Sequence, residues 1–485
     1  MKPFTTIFKR LPTLLLAAVV FSSCAKEAVM DVPDNDKKVT FFIELPGPTR
    51  VETRSVGSIE ENHIDNVLLL AFDKTTGNLS RKIPVPSSSL TYAPGGTNGN
   101  RWQFTVDIVP GNYDLMALAN TSLFASELAA ISPSAFPVPT KESVAELLLH
   151  DSSDKWGFTG GTVNPIPMWG ELGYDTSNPP GTAEFKLTRM LARINVNLAG
   201  TVTNFRLTSI RYFNRSTKGY LVPDPANYTT SGDGTVTVTA PTSYGNNMGM
   251  EARSLLYDGN DITNNRSCSD IIYVFEAATK GIFSFTDNAW KENPCLVVGG
   301  QWYDGENWGA ETYYRVDFIR DGVEPWLSLL RNHSYNVTIN RVEGPGYGDL
   351  VMALDLAPMN MDASTYEVNE SEMNFVSVDG PYYLAISEEQ ILMENIPNNY
   401  TATLTIKTNH PYGWQAEFFN DPQCTSPMTD NWVSLDQKES NLPTPEEGTP
   451  LLVTLADRTA GYRYIRFTAG RMSVVVTVRR YYIID

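Results

Sequence analysis

The sequence predicts an all-β protein made of tandem β-sandwich domains, with helices only as minor insertions. Its short apolar runs alternate with polar residues and are bounded by Gly, Pro, Asn and Asp, which is the pattern of half-buried strands joined by tight turns. Only residues 123–131 and 142–150 have a helical pattern, and both stretches lie in one long connection. A chain of 485 residues has room for about two to four such domains.

The first predicted strand is also the most regular one. It spans residues 39–45, and alternation places Val39, Phe41, Ile43 and Leu45 on one face. Further strands are predicted, in chain order, at 67–72, 102–109, 113–118, 185–198, 205–213, 313–319, 334–339, 401–407, 465–468 and 473–478.

Breaks in this pattern divide the chain into domains. A Gly- and Pro-rich break at 343–348 ends one region. From about residue 366 the predicted strands alternate more cleanly between apolar and polar residues. The last segment has the length of one β-sandwich, which is about 100 residues. The predicted organisation is a signal peptide at 1–23, a tether at 24–37, and β-sandwiches at 38–186, 187–348 and 366–485.

Composition and charge exclude several classes of function. The formal net charge of −18 disfavours nucleic-acid binding, which needs a positive surface. No segment after the N-terminal leader reaches the roughly 18 uninterrupted apolar residues of a membrane helix. The metalloprotease, serine-hydrolase and P-loop motifs are absent. An enzyme is therefore disfavoured, and we predict no catalytic residue.

The metal-binding and thiol side chains predict no site of their own. The four histidines are far apart and none has zinc-ligand spacing, so we predict neither a metal centre nor a cofactor. The acidic turns at 258–261 and 304–307 leave two interpretations, calcium binding and ordinary solvated turns, and they lack EF-hand spacing. Cys268 and Cys295 lie in one predicted domain, and the sequence does not decide whether they pair.

The N-terminus has the features of an export signal. Lys9 and Arg10 precede an apolar run at 14–21, which is too short to span a membrane. The next residues, 21–24, resemble a bacterial lipobox that ends in Cys24. This resemblance implies lipid on the Cys24 thiol and anchoring in the outer membrane. The alternative is a simple secreted signal, in which Cys24 carries no lipid.

Four segments resemble motifs of the fimbrillins, the pilin family of Bacteroidetes. That family has a Gly-x-Tyr…Ala-Asn strand, a Pro-Met-x-Gly turn, a Leu-x-Arg-x-x-Ala-Arg entry into its second domain and an Arg-Asn-x-x-Tyr final strand. The matching segments here stand in the same order at 111–120, 166–171, 187–196 and 331–337. The resemblance implies transthyretin-like or Ig-like Greek-key sandwiches.

The resemblance also implies a function in the assembly of fimbriae. Fimbrillins are exported as lipoproteins and cut after an arginine by a trypsin-like protease, which removes the first strand of the first domain. A strand from a neighbouring subunit then fills the groove. Here the displaced strand would be the predicted strand at 39–45, and the candidate cleavage sites are Arg50 and Arg54. The alternative is that both are ordinary loop arginines.

The C-terminal segment resembles a BACON-like or Ig-like module. A stalk pilin ends in a donor strand, whereas here a whole module follows residue 365, which favours an accessory or tip subunit. Such a module would contact a host or glycan ligand, with Trp414 and Trp432 as candidate contacts. The alternative is that both tryptophans are buried in the sandwich. The segments that carry this resemblance are 409–414, 431–435 and 467–470.

Two rival functions stay open at this point. A surface glycan-binding lipoprotein would also place β-sandwiches on a lipid tether, but it would not need a strand followed by arginines. The anchor subunit of a fimbrium would keep its lipid and would not be cleaved. The three functions differ in their partners. A processed fimbrial subunit binds neighbouring subunits and a processing protease, a glycan-binding lipoprotein binds a glycan, and an anchor subunit binds the outer membrane and the subunits above it.

Overall fold

Strands dominate the chain, and the predicted all-β class is confirmed. The computed structural model describes residues 36–45, 50–51, 63–93, 101–152, 154–156, 158–159, 162–163, 165–231, 234–241, 254–279, 289–319, 326–369, 375–379, 382–388, 390–394, 401–445, 448–455 and 461–481. The leader, Cys24 and Arg54 lie outside these residues. In the part of the chain that is described, no helix is long and apolar enough to cross a membrane.

The first group of strands forms a four-stranded and a five-stranded sheet, in the orders β12-β1-β6-β5 and β13-β11-β7-β3-β4. The elements of this region are β1 (Lys37–Glu44), β2 (Arg50–Val51), β3 (Asn66–Asp73), β4 (Leu79–Pro86), β5 (Thr91–Tyr92), β6 (Arg101–Ile108), β7 (Asn112–Ala119), α1 (Ala125–Ala130), α2 (Lys141–Leu147), β8 (Leu149–Asp151), β9 (Phe158–Thr159), β10 (Thr162–Val163), β11 (Met168–Asp175), β12 (Glu184–Lys186) and β13 (Thr188–Arg189).

The five-stranded sheet is covered on both faces. One face packs on the four-stranded sheet, and the other packs under α1 and α2 through residues such as Leu128 and Val144. Because both faces are buried, β3 is a continuous apolar run rather than an alternating one. The two helices lie where the sequence predicts helical character, and α2 begins after Thr140, whose hydroxyl accepts a hydrogen bond from the Ser143 N–H.

The middle group of strands forms two sheets of four strands each, with one hydrophobic core between them. Their strand orders are β20-β14-β23-β24 and β19-β15-β21-β22. The predicted strand at 185–198 is divided here among β12, β13 and β14. The elements are β14 (Ala192–Leu198), β15 (Phe205–Phe213), β16 (Lys218–Tyr220), β17 (Tyr228–Thr230), β18 (Val236–Val238), β19 (Leu255–Asp258), β20 (Ser267–Val274), β21 (Cys295–Tyr303), β22 (Trp308–Asp317), β23 (His333–Val342), α3 (Leu350–Asp355) and β24 (Met361–Asn369).

The third group of strands forms a six-stranded and a five-stranded sheet, in the orders β2-β25-β26-β28-β32-β30 and β27-β34-β33-β29-β31. Its core lies between these sheets. The elements are β25 (Phe375–Asp379), β26 (Tyr382–Ile386), β27 (Gln390–Glu394), β28 (Thr401–Thr408), β29 (Trp414–Phe419), β30 (Val433–Leu435), β31 (Glu439–Ser440), β32 (Thr449–Leu455), β33 (Gly461–Ala469) and β34 (Met472–Tyr481).

Three strands pair outside the group that their position in the sequence suggests, and the first of them is β16, which pairs with β8 of the first group. β24 pairs with β23 along its whole length, which places residues 361–369 in the middle group. β2 pairs in parallel with β25, which joins the segment after β1 to the third group. The domain boundaries drawn from the sequence remain a prediction.

Candidate strand-exchange site

The predicted displaced strand is β1, and it is an inner strand of its sheet over its second half. β1 runs antiparallel to β6 along its full length, from the pair Lys37–Ile108 to the pair Glu44–Arg101. Its residues Phe42–Glu44 also pair in parallel with β12. The carbonyl oxygen of Glu44 accepts a hydrogen bond of 2.9 Å from the Leu187 N–H just after β12. Removing β1 would therefore leave two strands with unpaired backbone groups.

The inward face of β1 is deeply buried. Phe41 and Ile43 are 0% exposed and Leu45 is 1% exposed, whereas Val39 is half-buried and packs at the margin of the same core. This confirms that the alternation in the sequence marks a face directed at the core. The structure places Val39, Phe41 and Ile43 on β1 and Leu45 directly after its end.

The ring of Phe41 lies at the centre of an aromatic cluster. Its centroid is 5.8 Å from that of Phe104 on β6, 5.2 Å from that of Tyr174 on β11, and 5.6 Å from that of Phe185 on β12. These three partners come from both strands that flank β1 and from the opposite sheet. Without β1 they would line an open apolar groove, which is the kind of surface that a new strand with matching side chains fills.

Residues of the first two sequence motifs maintain the shape of this groove. The Asn120 side chain donates hydrogen bonds to the carbonyl oxygens of His63 (2.8 Å) and Ile166 (2.9 Å), and its oxygen accepts one from the Asp65 N–H. A methyl group on Gly170 would stand 2.7 Å from the carbonyl oxygen of Lys186, so this position needs glycine for β11 to approach the end of β12.

The predicted cleavage residues lie beyond the end of β1. The backbone of Arg50 belongs to β2 and is opposite Phe375 of β25, while its side chain is outside the described residues. Arg54 and the lipidation candidate Cys24 are also outside them. Their roles therefore remain predictions, and only the strand residues of the predicted site have a described environment.

Comparison with known proteins adds a family to this geometry. The family model described as fimbrillin-A associated anchor proteins Mfa1 and Mfa2 matches residues 41–349. The chain belongs to this family. The match begins inside β1 and ends just before α3, so it spans the first and middle groups, and the third group lies outside it. A search of curated proteins gave no match.

Several solved structures are similar to this fimbrillin-associated protein. The tip fimbrial protein Mfa3 from Porphyromonas gingivalis, with a C-terminal truncation, has 16% identity and a TM-score of 0.40 over 69% of this chain and 100% of that chain. A cell adhesion protein from Bacteroides eggerthii has 15% identity and a TM-score of 0.37 over 69% and 96%. The fimbrial anchor protein Mfa2 from Porphyromonas gingivalis has 10% identity and a TM-score of 0.28 over 69% and 98%.

The fourth motif of the fimbrillin resemblance, at 331–337, has a structural role in this family member. The buried Arg331 guanidinium donates to the carbonyl oxygens of Tyr220 and Leu221 and to the Glu276 carboxylate at 2.7–2.8 Å. The Tyr335 hydroxyl donates to a carbonyl oxygen and accepts from the Leu330 N–H, and burial raises the pKa of Tyr335 well above its usual range. These groups fix the start of β23 and have no exposed polar face for a ligand.

The two tryptophans proposed as ligand contacts are core residues in this structure. Trp414 is 1% exposed and Trp432 is 3% exposed, and both pack between the sheets of the third group. This is the alternative that the sequence left open. Neither ring presents a face to solvent, so a ligand would reach them only if the core opened.

A partly exposed aromatic cluster nearby escaped the sequence analysis. We name it the aromatic ledge, formed by Tyr382, His410 and Tyr412. The His410 ring centroid lies 5.0 Å from that of Tyr382 and 5.8 Å from that of Tyr412, and Tyr412 is 81% exposed. Gly413, at φ +68°, and Gly470, which would clash with His410 if it had a side chain, fix the loop. The signal in the sequence that could have indicated this cluster is Tyr412, an aromatic residue between a Pro and a Gly in a turn.

The acidic turns and the cysteines carry no site in the described part of the chain. The Asp304 carboxylate accepts hydrogen bonds from the N–H groups of Glu306 and Asn307, which lower its pKa. Among the described residues, no group of three or more acidic, His or Cys side chains is placed to hold a metal ion. Cys268 and Cys295 are both buried and free, and burial raises the pKa of Cys295 to about 12.

Proposed function

We propose that this protein is an accessory or tip subunit of bacterial surface fimbriae, and that it is assembled by strand exchange after arginine-specific proteolysis. The observation that carries the proposal is the position of β1, an inner strand with three fully buried apolar side chains that is followed directly by candidate cleavage sites. The proposed role is structural and adhesive rather than catalytic.

The order of features along the chain supports this mechanism. Cys24 precedes β1, and Arg50 and Arg54 follow it. A cut after either arginine would detach the lipid and the strand from the body in one piece. The protein would thus reach the cell surface as an outer-membrane lipoprotein and become a strand acceptor once a trypsin-like protease cut it.

Strand addition explains why the vacated groove would need a new occupant. The backbone groups of β6 and β12 would lose their partners, and each unsatisfied pair in an apolar setting costs about 1–3 kcal/mol. The incoming strand from a neighbouring subunit would restore these hydrogen bonds. Its alternating side chains would enter the positions of Phe41, Ile43 and Leu45, which sets the register.

The test is limited trypsin treatment of the folded chain without its leader, followed by mass spectrometry and native sizing. We expect a cut after Arg50 or Arg54, loss of the segment that holds β1, and binding of a synthetic strand peptide to the product. The variants Arg50→Gln and Arg54→Gln identify the site, because only one of them should block the cut. Resistance at both arginines would instead favour an uncleaved anchor that keeps its lipid.

A glycan-binding role is the second candidate, and the aromatic ledge is the observation that favours it. The exposed ring of Tyr412, beside the half-buried rings of His410 and Tyr382, offers an apolar platform for a sugar ring, and large exposed aromatic residues mark contact sites. We expect Tyr412→Ala to weaken glycan binding at least about tenfold, or about 1.4 kcal/mol. Tyr92→Ala is the control, because Tyr92 is 56% exposed in the first group. Equal effects of the two variants would count against the ledge.

A further inference from the structure

A turn of the third group lies near the end of β1. Glu388 follows β26, is 9% exposed, and interacts electrostatically with Glu44 of β1 and Lys186 of β12. Glu44 is itself only 3% exposed. Two buried carboxyl groups, one from each group of sheets, are therefore close enough to affect each other's charge where β1 ends.

This turn is held firmly by its own group. The Ser387 N–H donates to the carbonyl oxygen of Thr405 (2.9 Å), and the Thr405 N–H donates to the Ser387 hydroxyl (2.7 Å). The neighbouring residues Leu384 and Ile386 are fully buried in the core of the third group. Glu388 thus projects from a fixed support rather than from a free loop.

The segment after β1 makes a second contact with the third group. Arg50 and Val51 pair in parallel with Phe375 and Val376 and form the edge of the six-stranded sheet. The N-terminal segment is therefore shared: β1 completes a sheet of the first group, and β2 extends a sheet of the third group. A segment held at two places must leave both before it is free.

We propose that the third group of strands is a clamp on the exit end of β1, formed by the pairing of β25 with residues 50–51 and by the buried Glu388 near Glu44. The consequence for assembly rests on the proposed function: β1 can leave its groove only after the third group releases residues 44–51. The clamp itself is a property of the uncleaved chain.

The carboxyl pair makes this clamp sensitive to pH. Burial, and then the carboxyl group of Glu44, raise the pKa of Glu388 to about 9, while Lys186 opposes the shift. Glu388 is therefore neutral at pH 7. Because its pKa in the folded protein lies above its ordinary value, the stability of this contact falls as the pH rises from about 4.5 through about 9. Above that range, two carboxylates repel each other beside one lysine.

Hydrogen exchange of β1 in the full-length chain tests the clamp without any proteolysis. The rate for a peptide covering 37–45 is compared between the wild type and Glu388→Gln at each pH, so that the intrinsic chemistry of exchange cancels. We expect a ratio near one at about pH 4.5 that rises by up to about tenfold per pH unit and levels off above about pH 9, because opening lets Glu388 ionise at its ordinary pKa. Glu439→Gln is the matched control, since Glu439 is an exposed glutamate of the same group.

The outcomes separate the clamp from the proposed function. A ratio that stays flat, or that changes equally in the Glu439→Gln control, overturns the clamp. A second measurement follows the release of the β1 segment from trypsin-cut protein at pH 7.5 and 9, with excess strand peptide present. Faster release at pH 9 in the wild type but not in Glu388→Gln supports the clamp. A rising exchange ratio with no release at any pH leaves the clamp standing and refutes strand exchange.

Discussion

Removing the Phe41 ring from the strand tests the central claim, that β1 is held by its apolar face. We consider a synthetic peptide of residues 37–45 that binds to the cut, strand-free protein. Phe41 is fully buried and its ring meets three aromatic rings within 6 Å. Truncation of such a residue to alanine costs about 3–5 kcal/mol, and about 1.4 kcal/mol corresponds to a factor of ten in affinity. The Phe41→Ala peptide should bind about 10²- to 10³-fold more weakly or worse.

Thr40→Ala is the control for this prediction. Thr40 is the neighbouring residue on the outward face, and its hydroxyl lies 2.9 Å from that of Thr105 in an exposed pair. Loss of one exposed hydrogen bond costs about 0.5–1.5 kcal/mol at most, so this peptide should lose less than about tenfold. Isothermal titration calorimetry of the three peptides measures the difference. Equal losses for the two variants would refute the view that apolar side chains set the affinity and the register.

Two further predictions concern the stability of the scaffold. Arg331→Met removes the partner of a buried carboxylate and of two carbonyl oxygens, so it should lower the free energy of unfolding in denaturant by about 3–5 kcal/mol. The control is Arg341→Met, which breaks an exposed ion pair and should lower it by less than about 1 kcal/mol. Gly413→Ala should lower the free energy of unfolding of the third group by more than the roughly 1–2 kcal/mol that a left-handed backbone alone costs, because the new methyl group would overlap the Ser440 carbonyl oxygen. The control is Gly77→Ala, at φ +73° with open space around it, which should cost only that backbone contribution of about 1–2 kcal/mol.

The sequence was sufficient to predict the strand at the centre of the site. In β1 one face meets the core and the other faces outward, so the alternation of Phe41, Ile43 and Leu45 is visible as a period of two. The strand predicted at 67–72 is also present, as β3, but its sequence does not show which side chains face which layer, because a sheet covered on both faces shows no alternation. It fails again for Trp414, because exposure depends on which sheet covers a residue and not on the residue type.

The contacts that join the third group to β1 could not be predicted. No strand is predicted from the sequence at Phe375 and Val376, and local periodicity contains no information on which distant strand pairs with them. Glu44 and Glu388 are also far apart in the sequence, and each has the ordinary character of a surface carboxylate when read alone. Only the three-dimensional arrangement buries both of them, and this burial is what makes the protonation of Glu388 part of the structure.

The uneven pairing of β1 would give the proposed strand exchange a direction. Among the described residues, the first half of β1 is paired with β6 alone, and β12 joins only at Phe42–Glu44. An incoming strand would therefore find an open edge beside residues 37–41 and could pair there before β1 had left. Exchange would then proceed toward Glu44, where β1 has backbone partners on both sides and where Glu388 lies nearby. The last contacts to break would be those next to residues 50–51, which the third group pairs with, so this group is placed where it would have the greatest effect on whether exchange goes to completion.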